Sequence, residues 1–234
     1  MRILDIGCGP GTITADLAAL VPQGHVTGLD QAPDVLELAR ATAAERGVSN
    51  VSFAVGDVHA LDYADGAFDV VHTHQVLQHI TDPVQALREM RRVTAPGGLV
   101  AAREADFPAS AWYPEDVQGL PEWRDLYVQV ARANGGEPAA GRRLHVWARQ
   151  AGFDPARVAT SASTMCYSGP AQREWWGGLW ADRIRVPPFS QLAVEGGHAS
   201  AEDLERAAAA WRAWANEEDA WFVIMHGEIL CRMP

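Results

Sequence analysis

Lysine is absent: every basic residue of this 234-residue chain is arginine. A Walker-type phosphate loop needs a lysine on the phosphates, so no such loop is present. A lysine Schiff base, and with it pyridoxal phosphate chemistry, is excluded on the same ground. Cysteine is scarce. Cys8, Cys166 and Cys231 are odd in number and far apart, with no C-x-x-C. They read as reduced thiols of a cytosolic protein, not as a disulfide frame or a zinc ribbon. Long apolar runs are missing as well. No stretch reaches the ~18 residues of a membrane span, and no signal peptide is read before the first strand. Positive charge is outweighed, with 19 basic against 30 acidic residues and a net charge of −11. An acidic surface repels polyanions, so DNA and RNA are not expected partners. What is plentiful is apolar content, 48% of the chain. That suffices for one large core, or one domain with a substantial insertion.

The most informative stretch comes first. Ile3, Leu4 and Ile6 read as a buried strand carrying Asp5, and Gly7, Cys8, Gly9, Pro10 and Gly11 follow at once. Thr12 to Leu20 then read as a helix. Strand, glycine loop and helix together bring backbone N–H groups up to a nucleotide-like ligand. The first two glycines let the chain turn and let a ligand approach, because no Cβ stands in the way. A dinucleotide fingerprint is G-x-G-x-x-G. Here the third glycine comes one residue early, and Asp5 stands two before the first. A carboxylate there repels a pyrophosphate. It suits a ligand with an ammonium group, such as S-adenosylmethionine.

From the start to about residue 105, strands and helices alternate. Strands are predicted at Arg2–Ile6, His25–Leu29, Val51–Val55, Phe68–His72 and Leu99–Arg103. Helices are predicted at Pro33–Arg46 and Pro83–Val93. This alternation predicts an α/β fold, a doubly wound and mostly parallel sheet. Residues 1–105 then form a cofactor half and 106–234 a substrate-side half of one domain. Helical insertions are predicted at about 107–136 and 169–218, after strands five and six. Helices are read at Glu122–Ala133 and Gly141–Gln150. A helix starting at Ser200 has Asp203 three residues on, a variant capping box. Arg157–Tyr167 and Trp221–Cys231 read as strands six and seven.

Three acids stand in register with the loop: Asp5 in strand one, Asp30 after strand two and Asp57 after strand three. Ligands of a doubly wound sheet bind at the carboxyl ends of its strands. Asp30 lies ~20 residues past the glycine loop, where a carboxylate accepts ribose hydroxyls. Asp57, with the N–H of Val58, suits the amino edge of adenine.

These segments resemble the class I S-adenosylmethionine-dependent methyltransferases. Ile3 to Gly11 is similar to their motif I and Val26 to Asp30 to motif II. Gly56-Asp57-Val58 and Phe68-Asp69-Val70-Val71 resemble the next two motifs. Gln75 to Pro83 and Ala95-Pro96-Gly97-Gly98 resemble the ubiquinone/menaquinone-type small-molecule branch. The resemblance covers about residues 2–105. It implies a seven-stranded sheet whose last strand is antiparallel, and S-adenosylmethionine as cofactor with S-adenosylhomocysteine as product. It assigns Asp5, Gly7, Cys8, Gly9 and Gly11 to the methionine end, Asp30 and Gln31 to the ribose, and Asp57 and Val58 to adenine. His74 and Gln75 would line the cavity near the sulfonium. Where the DNA amino-methylating branch carries an Asn- or Asp-Pro-Pro-aromatic motif, this chain reads His72-Thr73-His74-Gln75, which argues against base methylation. Relatives carry a helical segment ahead of strand one that lids the cofactor. The sequence opens at the strand, which implies weak binding unless the insertion or a second subunit closes the pocket.

Candidate bases are His79, Glu104 and His74, with Asp106 beside Glu104 at the end of strand five. His72 and His74 form an H-x-H pair with no third ligand apparent, so no metal is expected. Trp112, Tyr113 and Trp175 fall in the insertions that roof the acceptor in this fold, and with Asp106 they are the candidate substrate contacts. Trp180, Trp211 and Trp214 read as core. The resulting expectation is methyl transfer to an oxygen, nitrogen or carbon of a small aromatic or hydrophobic metabolite in the cytoplasm, with a homodimer left open. The alternatives are a protein that binds the cofactor without transfer, and a nicotinamide oxidoreductase, which Asp5 and the short glycine spacing disfavour.

Overall fold

The computed structural model describes all residues, 1–234. Seven strands form one sheet: β1 (Arg2–Ile6), β2 (His25–Asp30), β3 (Val51–Val55), β4 (Phe68–His74), β5 (Thr94–Tyr113), β6 (Val158–Tyr167) and β7 (Trp221–Arg232). Their order is β3-β2-β1-β4-β5-β7-β6, with β7 antiparallel. β1 pairs parallel with β2 and β4, β2 with β3, and β4 with β5. The doubly wound sheet and its reversed last strand are those expected. The helices are α1 (Thr12–Leu20), α2 (Pro33–Glu45), α3 (Pro83–Val93), α4 (Leu120–Ala133), α5 (Leu144–Gln150), α6 (Pro170–Arg183), α7 (Phe189–Glu195) and α8 (Ala201–Asn216). None is long and apolar enough to cross a membrane.

Local sequence explains the elements. α3 begins at a proline that needs no N–H partner, and Asp82 caps it by accepting from Gln85 N–H at 2.8 Å. Its buried residues, Ala86, Leu87, Met90 and Val93, repeat at helical spacing. α8 begins with the expected reciprocal box: Asp203 N–H donates to Ser200 Oγ at 3.2 Å, and Ser200 N–H to Asp203 Oδ2 at 2.7 Å. β1 is buried from Ile3 to Ile6, as a central parallel strand should be.

Two strands run more than one residue further than predicted. β4 continues through His74, which pairs in register with Arg103 of β5. β5 continues to Tyr113, with Pro96-Gly97-Gly98 accommodated as a register shift near its start. Pro108 has no N–H to give to a ladder. The strand passes through it nonetheless. Glu104 and Asp106 therefore lie inside β5, fully buried, not at a solvated strand end.

The chain divides into two compact units. The first comprises Met1–Glu104, Gly141–Ser161 and Gly227–Pro234; the second comprises Ala105–Ala140 and Ala162–His226. The first unit's leading segment thus ends at Glu104, and the unit takes in two later segments. In the first unit, Ile3, Ala18 and Val26 pack with Leu17, Val21, Val48, Val51 and Val70 between α1 and the sheet. In the second, Trp123, Trp180, Trp211, Trp214 and Phe222 are fully buried in one aromatic core.

Candidate functional site

The site begins at the glycine loop. Gly7, Gly9 and Gly11 all take positive φ, between 53° and 78°. A side chain at Gly7 would strike Val76, whereas one at Gly9 would meet nothing within 4 Å. Only Gly9 therefore leaves the loop backbone open to an approaching ligand. Gly7 is small because Val76 packs on it.

Asp5 has a different place from the one expected. It is 2% exposed and sits beneath the loop. Its Oδ2 accepts from Thr14 Oγ1 at 2.6 Å, and its Oδ1 from His72 Nδ1 at 2.7 Å. The carboxylate ties β1 to α1 and β4, so the loop rests on it. Burial and the charges of Asp5 and Asp30 push the Cys8 thiol up to about 12, so it is inert at neutral pH.

Asp30 ends β2. Its Oδ2 accepts from Gly9 N–H at 3.0 Å and its Oδ1 from Ala32 N–H at 3.1 Å. Those bonds orient the carboxylate against the loop. Each oxygen keeps a further lone pair for a ligand hydroxyl. Asp57, exposed after β3, accepts from His59 N–H at 2.9 Å and His59 Nδ1 at 2.7 Å. These two hydrogen bonds hold its carboxyl below the usual range. Both go to Oδ1, which leaves Oδ2 for an amino group. The segment after His59 is clamped from α3. Glu89 accepts from Leu61 N–H at 2.9 Å, and Arg92 donates to the carbonyls of Leu61 and Tyr63, each at 2.8 Å.

These elements enclose a cavity of about 450 Å³, lined by residues of the first unit alone. Asp30, Gln31, Asp57, Val58, Gln75 and His79, predicted from sequence, share its wall with Gly7. His59, Val76 and Ile80 line it too and were not predicted. His59 stands two residues past Asp57, the spacing at which an Asp accepts from backbone in a turn, and that signal could have found it. Cys8, Gly9, Gly11, His74 and Glu104 stand outside this wall. A larger groove of about 810 Å³ lies in the second unit along α4 and α8, and no predicted site residue lines it.

The candidate bases part company. Gln78 Nε2 donates to His79 Nε2 at 3.0 Å, which occupies the lone pair a base would use. His74 is pushed down to about 4, first by burial and then by the charges of Arg103 and His72. It is neutral at pH 7 and only weakly basic. Glu104 is 0% exposed, and its carboxylate is taken by backbone N–H groups. Of the proposed substrate contacts, Asp106 is fully buried and Trp112 half-buried against Phe222. Tyr113 is 54% and Trp175 57% exposed. All four belong to the second unit.

Comparison with known proteins places this geometry. A family profile described as a methyltransferase domain matches residues 1–151. An uncharacterized methyltransferase of Schizosaccharomyces pombe is 37% identical over 239 residues, covering 98% of this chain and 83% of that one. The demethylmenaquinone methyltransferase of Lactococcus lactis is 38% identical over 116 residues, 49% of this chain and 46% of its own. Among solved structures, the YcgJ protein of Bacillus subtilis is similar with a TM-score of 0.60 and 22% identity, over 99% of this chain and 91% of that one.

Proposed function

This chain belongs to the methyltransferase domain family and is a class I S-adenosylmethionine-dependent methyltransferase; from that premise we propose that it methylates an oxygen, nitrogen or carbon of a small aromatic or hydrophobic metabolite. The observation that carries the reading is one cavity that gathers Asp30, Asp57, Gln75 and His79 on a single wall. Asp30 accepts the ribose hydroxyls while the Gly9 N–H holds it in place. Asp57 takes the adenine amino group on Oδ2, with Gln31 and Val58 flanking. Gly9 leaves the backbone open beside the methionine end. S-adenosylmethionine supplies the electrophilic methyl on its sulfonium; the protein supplies orientation and exclusion of water.

None of the candidate bases in the first unit is both available and strongly basic. His79 is bonded, Glu104 is enclosed, and His74 is depressed. The reading therefore assigns acceleration chiefly to proximity, worth up to about 7–11 kcal/mol in well-oriented systems. An acceptor that is nucleophilic by itself suits this arrangement. The test is release of S-adenosylhomocysteine on adding fractionated small-metabolite extract to protein and S-adenosylmethionine. Product formation with an aromatic fraction is expected. Tight cofactor binding with no product from any fraction would favour the binding-only alternative.

A further inference from the structure

The turn after β4 is held from outside itself. Gln75 gives its N–H to the Arg103 carbonyl at 2.9 Å. Val76 and Leu77 give theirs to Glu104 Oε1 at 3.0 and 2.9 Å, and Gln78 gives its own to Oε2 at 3.2 Å. His79 then donates back to the Val76 carbonyl at 2.9 Å. Two adjacent residues of β5 thus take four successive N–H groups. The turn also holds Gln75 at φ 56°, a left-handed conformation in which non-glycine residues are uncommon. Such backbone persists only where its surroundings over-determine it.

Glu104 is an expensive way to hold a turn. A fully buried carboxylate is strongly disfavoured unless it is hydrogen-bonded. Three converging N–H donors form an anion nest and offset part of that cost. Burial still outweighs them and pushes the carboxyl up to about 7. No charged side chain contributes to the shift. Its titratable neighbours along β5 are Arg103 and Asp106, and those on β4 and the turn are His74 and His79. Gly141 packs at its carbonyl and Gly227 packs on Gly141; the titratable residues adjoining these two glycines are Arg142, His226 and Glu228. What the turn carries accounts for the arrangement: Gln75, Val76, His79 and Ile80 are one side of the cavity wall.

We propose that Glu104 is a positioning residue for methyl transfer, its carboxylate fixing the 75–79 turn so that Gln75 and His79 meet the reacting end of the cofactor in one register. This replaces the sequence expectation of Glu104 as a base. It rests on the methyltransferase reading of the cavity. Ionised Glu104 offers both oxygens as acceptors, whereas protonation turns one into a donor facing N–H groups. The turn therefore tightens as pH rises through about 7. Global stability moves oppositely through this group. An unfolded glutamate ionises near 4.3, so between about 4.3 and 7 the folded state binds more protons, and stability falls as pH rises.

The test uses the intact chain and substrate-independent probes. Hydrogen exchange of residues 76–78, corrected for intrinsic rates, is followed from pH 6 to 8.5. The wild type is expected to gain protection with pH. Glu104→Gln is expected to lose protection at least about tenfold and to show no pH dependence. Binding of S-adenosylhomocysteine, by calorimetry, should weaken in the same variant, because the turn forms one side of the cavity wall. The methyl resonance of S-adenosylmethionine labelled with ¹³C at its methyl should move toward its free position in the Gln variant. Wild-type protection in Glu104→Gln, or an unmoved methyl resonance, overturns the proposal. Should that variant fail to fold, Glu104→Asp decides. It keeps the charge, so pH-dependent though weaker protection supports the proposal and a flat profile refutes it. Failure of the wild type to bind either probe would instead strike the cavity reading, while the exchange data would still report on Glu104.

Discussion

The two compact units bury polar groups in different ways. In the first, three carboxylates answer to backbone, Asp30 to Gly9 and Ala32, Glu89 to Leu61 and Glu104 to the turn after β4, while buried Asp5 answers to the Thr14 and His72 side chains. In the second, the buried polar groups include, besides Asp106, Ser110 and His226, a cluster of indole nitrogens. Those of Trp123, Trp176, Trp180 and Trp211 make no conventional hydrogen bond. Trp123 instead meets Trp180 and Trp211 edge-to-face, each with ring centroids 4.7 Å apart. Such pairs favour the positive ring edge against a π-face, and an indole N–H so placed recovers part of a hydrogen bond. The difference teaches which unit is built for position and which for bulk. Carboxylate-to-backbone bonds fix loops to fractions of an ångström. Aromatic packing supplies area.

Breaking the bulk should cost most. Trp123→Ala is expected to destabilise by about 3–5 kcal/mol in urea unfolding, as large-to-small core substitutions do. Trp123→Phe should cost clearly less, since the lost N–H had no acceptor to abandon. Equal losses would show that the indole nitrogen is bonded after all. Breaking position should act on ligand before stability. Asp30→Ala is expected to weaken S-adenosylhomocysteine binding by about 1–3 kcal/mol, from lost charged hydrogen bonds. Unchanged affinity in calorimetry would misplace the ribose.

Protonation sharpens the contrast further. His74 lies at about 4 in the folded protein, below its ordinary value near 6.5. Between those values the unfolded state binds more protons, so this group's stabilisation is lost as pH falls through that window. Imidazole resonances of His74 should stay flat from pH 5.5 to 8, and an inflection near 6.5 would contradict the burial argument. The smallest effect is expected at a helix start. Ser200→Ala should cost about 1 kcal/mol of stability by removing the cap of α8.

Much of this was legible in the chain. Strong period changes and glycine punctuation located β1, α1, β3 and α3, because local propensity and tertiary demand agree there. The wall residues Asp30, Asp57 and Gln75 were legible because each follows a strand end, where topology puts ligands. What stayed hidden depends on contacts distant in sequence. Asp5 reads as ligand-facing until His72 and Thr14 are seen to occupy it. Glu104 reads as a base until it is seen buried with its carboxylate taken by the turn after β4. The division at Glu104 was hidden for the same reason, since residues 141–161 and 227–234 return to the first unit through contacts distant in sequence, α5 against α3 among them.

The most direct measurement is a crystal structure of the protein soaked with S-adenosylhomocysteine. The account requires the nucleoside in the cavity of the first unit, its ribose on Asp30 and its adenine edge on Asp57. Ligand density elsewhere, or none at saturating concentration, would contradict it.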